Sequence, residues 1–165
     1  MEEPDDAACE SLRFHPSCPF GQARHPCILA LFRNIITDAP QAIHRIGLNP
    51  VGSKIDRKML GPTAGASIKL DPARTGLVIG EAIETVLAAR QLGFRPAWAT
   101  GSVGAIAVFP LLPGIEALTI LAEAGEPSSM AVQACGQRWS EAGREVIVVS
   151  PRTGSDINDA LRGAA

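Results

Sequence analysis

An α/β fold is predicted: a mainly parallel sheet with helices on both faces, preceded by an antiparallel β-rich extension. Three observations predict it. From residue 76 onward, short apolar runs alternate with segments of helical periodicity, in the order strand, helix, four times over. Between residues 27 and 70 the apolar runs are separated by Pro- and Gly-containing turns and lack helical spacing. Finally, 46% of the 165 residues are hydrophobic and the net charge is −2, so a packed core can form and disorder is not expected.

Residues 1–26 read as an irregular segment. Pro16, Pro19 and Pro26 each bias the residue before them toward extended or turn geometry, and the first ten residues are expected to fray. The β-rich extension spans 27–75. CILALFRNI (27–35) and QAIHRIGL (41–48) should pair as an antiparallel hairpin across TDAP, and NPVGSK (49–54) supplies the next turn. A short segment near Lys58–Leu60 and a strand ASIKL (66–70) complete this small sheet.

The third region, 76–165, carries the alternating pattern. GLVIG (76–80) is a buried strand, and the helix at 81–93 places Ile83, Val86 and Leu87 on one face before Gly93 stops it. PAWAT (96–100) is a strand, followed by a short helix near 103–109 and a strand at 115–122. A helix over 128–142 buries Ala131, Ala134, Cys135, Trp139 and Ala142, with Pro127 in its first turn and Gly143 at its stop. REVIVVS (144–150) is the last strand, and a terminal helix starts near Asp156. Connections of this kind imply parallel strands.

Several function classes are excluded. The longest apolar stretch, at 103–112, is about half of the roughly 20 residues a membrane span needs, and the acidic start is unlike a secretory signal. A cytoplasmic location is therefore expected. No GxGxxG follows a strand, and GPTAGASIK (61–69) lacks the GK[ST] ending of a phosphate loop, which disfavours a nucleotide-binding site of either kind.

Charge is unevenly distributed. Residues 1–10 hold five acids and no base, residues 11–75 hold nine Lys/Arg against three acids, and residues 76–165 hold six Arg against nine acids. A basic front half beside an acidic back half fits a nucleic-acid surface next to a carboxylate metal site. Arg45, Lys54, Arg57, Lys58 and Lys69 are the candidate phosphate contacts, with solvated strand and loop charges as the plain alternative. Five Phe, two Trp and no Tyr give little support to a base-stacking platform.

The acids of interest fall at the carboxyl ends of predicted strands, where open α/β sheets bind ligands. Glu81 follows 76–80, Glu123 and Glu126 follow 115–122, and Asp156 and Asp159 follow 144–150. Glu81, Glu123 and Asp156 are expected to meet at one rim, where Mg²⁺ would find oxygen ligands. Each acid also has a structural alternative. Glu81 and Glu84 suit the positive end of their helix, Glu126 can start a helix with Pro127, and Asp156 can be an N-cap. Cys9, Cys18 and Cys27 with His15 and His25 make HxxC and HxC, a loose imitation of zinc-ligand spacing. Without a CxxC pair, Cys18 and Cys27 are expected to bind no metal, and Cys135 to be a core residue.

GLVIGEAIETVLAARQLGFRPAWATGS (76–102) resembles the first motif of Toprim domains, as found in plasmid- and phage-type DNA primases and primase-helicases. Residues 117–149 resemble the strand, acidic motif, helix and strand that follow, and PRTGSDINDAL (151–161) resembles their G-K-D-x-N-D-x-L ending. Upstream, RFHPSCPFG, HPCILALFRNIITDAPQAIHRIGLNP and MLGPTAGASIKL resemble the β-rich segment preceding Toprim in those proteins. The resemblance implies a Toprim-like (Rossmann-like) sheet and Mg²⁺-dependent nucleotidyl or phosphoryl transfer on DNA or RNA. It also implies a replication helicase or other replication protein as partner. By motif, Glu81 takes the acid/base role.

Departures from that pattern are informative. Ala82 stands beside the Glu where Gly is usual, and Ser155 where Lys is common. Glu123-Ala124-Gly125 replaces the metal-binding Asp-x-Asp pair, so the second acid is missing. The expectation is a degenerate Mg²⁺ site, which Glu123→Asp with Gly125→Asp should tighten. The alternative is a non-catalytic module for nucleic acid or a replication partner.

Overall fold

The computed structural model describes residues 10–152 and 154–163, which form two compact units dividing at Lys69/Leu70. The first unit is an antiparallel sheet of β1 (Leu12–Phe20), β2 (Ala23–Asn34), β3 (Pro40–Leu48), β4 (Lys54–Leu60) and β5 (Ala66–Lys69). β4, β3 and β2 lie side by side, and the far edge of β2 is shared by β1 and β5.

Residues 12–26, expected to be irregular, are instead β1 and the start of β2. The prolines that argued against strand sit where a ladder tolerates them. Among the described residues β1 pairs with β2 alone, and register runs from His15↔Cys27 to Cys18↔His25 across a bulge. Pro16 and Ser17 therefore face Pro26 at a break where an N–H is not needed. Residues 1–9, including Cys9 and most of the stretch expected to fray, lie outside the described residues. The segment expected near Lys58–Leu60 is longer than foreseen, because all of β4 pairs with β3 after Asn49 Oδ1 accepts from Val51 N and Ser53 N in the turn.

Alternation along these strands makes two faces. Ala30, Phe32, Ala42, His44 and Ile46 form the buried one, with the His44 ring stacked on Phe32 at 6.3 Å. On the other face one register row crosses four strands: Arg13↔Leu29, Leu29↔Arg45, Arg45↔Lys58.

The second unit is a parallel sheet of β6 (Gly76–Gly80), β7 (Ala97–Ala99), β8 (Ala117–Leu121) and β9 (Glu145–Val149), in the spatial order β7-β6-β8-β9. α1 (Ile83–Gln91) packs with α4 (Ile157–Gly163), and α2 (Val103–Ala107) packs with α3 (Glu126–Glu141), giving a helix layer on each face. Leu118, Ile120 and Leu121 are fully buried, as are Leu77 and Ile79 on β6. Each such side chain stabilises the fold by about 1.5–3 kcal/mol.

On α3 the buried residues are Ser128, Ala131, Val132, Cys135 and Trp139, an i, i+3, i+4, i+7, i+11 stripe. Ala134 and Ala142, expected inside, are exposed, and Val132 takes the inward position. The Trp139 ring stacks on Phe109, which meets Trp98 edge-on. Arg138 donates to the carbonyls of Ala107 and Phe109, fastening α3 to the end of α2.

One device in this unit had no sequence-level forecast. Asp71, just after β5, accepts from Arg90 Nε (2.9 Å) and Nη2 (2.7 Å) and from Ala97 N (2.9 Å). Its carbonyl accepts from Trp98 Nε1 at 2.8 Å. A buried, bidentate ion pair thus ties the loop after β5 to α1 and β7.

No described helix is long and apolar enough to cross a membrane.

Candidate functional site

In the second unit the chain turns from β6 to β7 on one side, then crosses back to β8 on the other. Such a reversal leaves a crevice at the carboxyl ends of the strands. Glu81 follows β6 and Glu123 follows shortly after β8, and those two strands are hydrogen-bonded neighbours. The rim is tied loop to loop. Gly101 N donates to the Glu81 carbonyl, Thr100 N and Oγ1 donate to that of Gly80, and Ala124 N donates to that of Ser155. Gly80 suits this rim because an added Cβ would come within 2.8 Å of Val86 Cγ2, so the start of α1 can lie close against the strand end.

Glu123 is the best-anchored acid. Thr85 Oγ1 donates to its Oε1 at 3.1 Å, and the Ala82 backbone N–H also donates to its carboxylate. Ala82 is the N-cap of α1 and supplies no side-chain cap, so Glu123 caps that helix from another strand. The Glu123 backbone N–H in turn donates to Ser128 Oγ at 3.0 Å. Burial pushes the Glu123 carboxyl above its ordinary range, helped by the facing charges of Glu81 and Asp156 and opposed by the bond from Thr85. Glu123 is thus within electrostatic range of both Glu81 and Asp156.

The other two acids stand apart. Glu126 is exposed in the first turn of α3. Asp159 is exposed and accepts from Ser155 N and Oγ, while Asp156 Oδ1 accepts from Asp159 N at 2.8 Å. Asp156 therefore caps α4 as well as facing Glu123. At the end of the acidic motif, Gly125 has φ +115° and ψ 156°, a region that L residues rarely adopt, and it is the N-cap of α3.

Three like charges at one rim attract a cation, and oxygen donors suit Mg²⁺. The donors are nevertheless engaged elsewhere. Glu123 caps α1, Asp156 caps α4, and Gly125 offers no carboxylate. Among the described residues, no group of three or more His, Cys, Asp or Glu is arranged to hold a metal ion. The residues present do not form a full Mg²⁺ clamp.

Of the candidate phosphate contacts, Arg45 and Lys58 are register neighbours on one face of the first unit, joined by Arg13 through Leu29. Arg45 Nη1 donates to the Pro19 carbonyl at 2.7 Å, and Lys58 Nζ lies over the Phe20 ring at 5.3 Å. Arg57 points to the opposite face, paired with Ile46, and Lys54 pairs with Leu48 beyond a register shift. Lys69 donates to Asp38 Oδ1 at 2.9 Å and to the Ile35 carbonyl, so its charge serves the fold. Arg13 was missed because the prolines concealed its strand.

The Toprim domain family model matches residues 76–165. The chain belongs to the Toprim family. A second model, a domain of unknown function (DUF7146), matches residues 3–70, so the β-rich part before the Toprim domain is itself a recurrent unit. No curated protein matches the chain in sequence. Among solved structures, the primase fragment of the bacteriophage T7 primase-helicase is similar with TM-score 0.67 and 14% identity, over 96% of this chain and 65% of its own. A DNA primase domain from Pseudomonas aeruginosa gives 0.57 and 16%, over 96% and 53%. The Aquifex aeolicus primase (zinc-binding and RNA polymerase domains) gives 0.57 and 12%, over 94% and 41%. The chain thus spans less than two thirds of each, and at these identities the likeness is one of fold.

The Glu123 environment has a measurable consequence. A carboxyl raised above its ordinary 4.5 in the folded state binds its proton more tightly there than in the unfolded chain. Its stabilising contribution is complete below that ordinary value and is lost as pH rises through the folded-state value. Glu123→Gln keeps an acceptor for Thr85 and Ala82 and removes the titration. Urea unfolding across the acid-to-neutral range should show a falling slope in the parent that is reduced in Glu123→Gln. Equal slopes would mean that neither burial nor the other acids raise the Glu123 carboxyl.

Proposed function

We propose that this Toprim-domain protein binds nucleic acid, DNA or RNA, in the replication of mobile or plasmid DNA, with a degenerate Mg²⁺ site. The observation that carries this is the row Arg13, Arg45 and Lys58 on one face of the β-rich unit. Cations in register can neutralise successive phosphates, and phosphate neutralisation supplies most non-specific affinity. The rim supports weak metal binding rather than a catalytic clamp, since the second acid of the pair is Gly125. The T7 relative is by name a primase-helicase, and a replication helicase or other replication protein is the partner class this reading names.

A second reading has its own support. The convergence of Glu81, Glu123 and Asp156 retains part of the acid set that primase-type nucleotidyl transfer uses, with Glu81 in the acid/base role.

Binding of labelled single-stranded oligonucleotides at several salt concentrations tests both. Affinity should fall with salt, and Arg45→Ala with Lys58→Ala should weaken binding and flatten the log–log slope by about 0.7 for each phosphate left without its cation. Glu81→Gln should leave binding unchanged. Mg²⁺-dependent primer synthesis by the parent chain, abolished in Glu81→Gln, would replace the binding reading with the catalytic one. Salt-independent binding, or none, would sink the basic row as an interface.

A further inference from the structure

Two cysteines of the β-rich unit take no part in the reading above. Cys18 and Cys27 are free and buried, and with Phe20 they form a small apolar cluster against which Leu29 packs. Cys18 is the register partner of His25, two residues from Cys27, so the two thiols are diagonal neighbours on one face of the β1–β2 hairpin. The Cys18 thiol donates to the Pro19 carbonyl at 3.5 Å and the Cys27 thiol to that of His25 at 3.4 Å. Cys135, by contrast, sits alone in the core of the Toprim domain, its thiol pushed up to about 11 by burial.

The backbone around Cys18 is loosely held. Pro16, Pro19 and Pro26 have no N–H to give the ladder, and Ser17 N donates to His15 Nδ1 at 3.0 Å. Among the described residues β1 pairs on one side alone, and its register breaks immediately before Cys18. Stretches with few ladder bonds open locally at low cost, which gives a small reagent access to Cys18. Cys27 is completely covered. Burial, then the adjacent Cys18 thiol, pushes the Cys27 thiol above its ordinary value, and the Arg45 charge opposes them only in part.

We propose that Cys18 and Cys27 are a dithiol modification site, which a low-molecular-weight disulfide converts to a cross-strand disulfide clamping β1 onto β2. The Cys18 thiol loses its proton and its sulfur attacks one sulfur of the small disulfide. That S–S bond breaks, a mixed disulfide forms on Cys18, and one small thiolate leaves. The Cys27 sulfur, also deprotonated, then attacks Cys18 Sγ and displaces the second small thiolate. The two departing thiolates take up the two protons. Two protein thiols are oxidised, and the small disulfide is reduced by the same two electrons.

The test treats the folded, full chain with oxidised glutathione, alkylates the remaining thiols and maps the peptides. The expected result is loss of two of the four cysteines to alkylation, a linked Cys18–Cys27 peptide pair, and alkylated Cys135. Dithiothreitol should reverse the link, and Cys27→Ala should leave glutathione trapped on Cys18. Glutathione persisting on Cys18 in the unmodified chain, a link to Cys9 instead, or full recovery of all thiols would each overturn the proposal. The linkage in the unmodified chain decides the matter even if Cys27→Ala fails to fold.

Discussion

Replacing Asp71 by alanine is expected to lower the stability of the folded chain by about 3–5 kcal/mol, enough to unfold many domains of this size at ambient temperature. Arg90 would keep its place on α1 with its side chain 5% exposed and its bidentate partner gone. A buried guanidinium deprived of its bidentate carboxylate is the source of the loss, more than the ion pair's own worth. Ala97 N would lose its acceptor as well. Two variants separate these effects in urea unfolding. Asp71→Ala should show the full loss, and adding Arg90→Met should recover much of it, because no charge then remains buried. A single-variant loss below about 1 kcal/mol would place the pair with solvent-exposed ion pairs and refute its anchoring role.

The sequence carried a signal for this pair that periodicity alone passes over. Ile83, Val86 and Arg90 fall at i, i+3 and i+7, so an arginine occupies the apolar stripe of α1 and demands a buried acid. Which acid could not be known before the loop after β5 was placed. The parallel half was legible because buried strands and amphipathic helices have distinct periods, and the strand-end rule named Glu81, Glu123 and Asp156 as the acids of one rim. Residues 12–26 were not legible, because a proline excludes a paired N–H, yet an edge strand and a bulge leave some positions unpaired. Reading those prolines as breakers hid β1, and with it Arg13 and the closeness of Cys18 to Cys27. On α3, spacing alone offered Ala134 and Ala142 to the core. Small side chains give little signal of facing, and Val132 settles the stripe.

Gly125→Asp, which supplies the second acid that the resemblance to Toprim domains calls for, is expected to destabilise the protein by about 1–3 kcal/mol. Space is not the obstacle, since an added Cβ would meet Pro127 Cδ at an ordinary 3.8 Å. The backbone is: at φ +115° and ψ 156° the residue occupies a region essentially reserved for glycine. Relaxing it would move the Gly125 carbonyl that accepts from Ser129 N and begins α3. Glu123→Asp compounds the problem, because a side chain shorter by one methylene draws the carboxylate away from Thr85 Oγ1 and Ala82 N and uncaps α1. From sequence alone, the paired replacement should tighten Mg²⁺ binding. From the structure, the same replacement should first lower the urea midpoint, and added Mg²⁺ should recover little of the loss. A ligand stabilises by its differential affinity for the folded state, so the shift in midpoint on adding Mg²⁺ measures binding directly. A Gly125→Asp chain as stable as its parent, with a midpoint that rises steeply with Mg²⁺, would show that the backbone accepts the acid. The glycine would then be a replaceable loss in this Toprim domain and not a feature its helix requires.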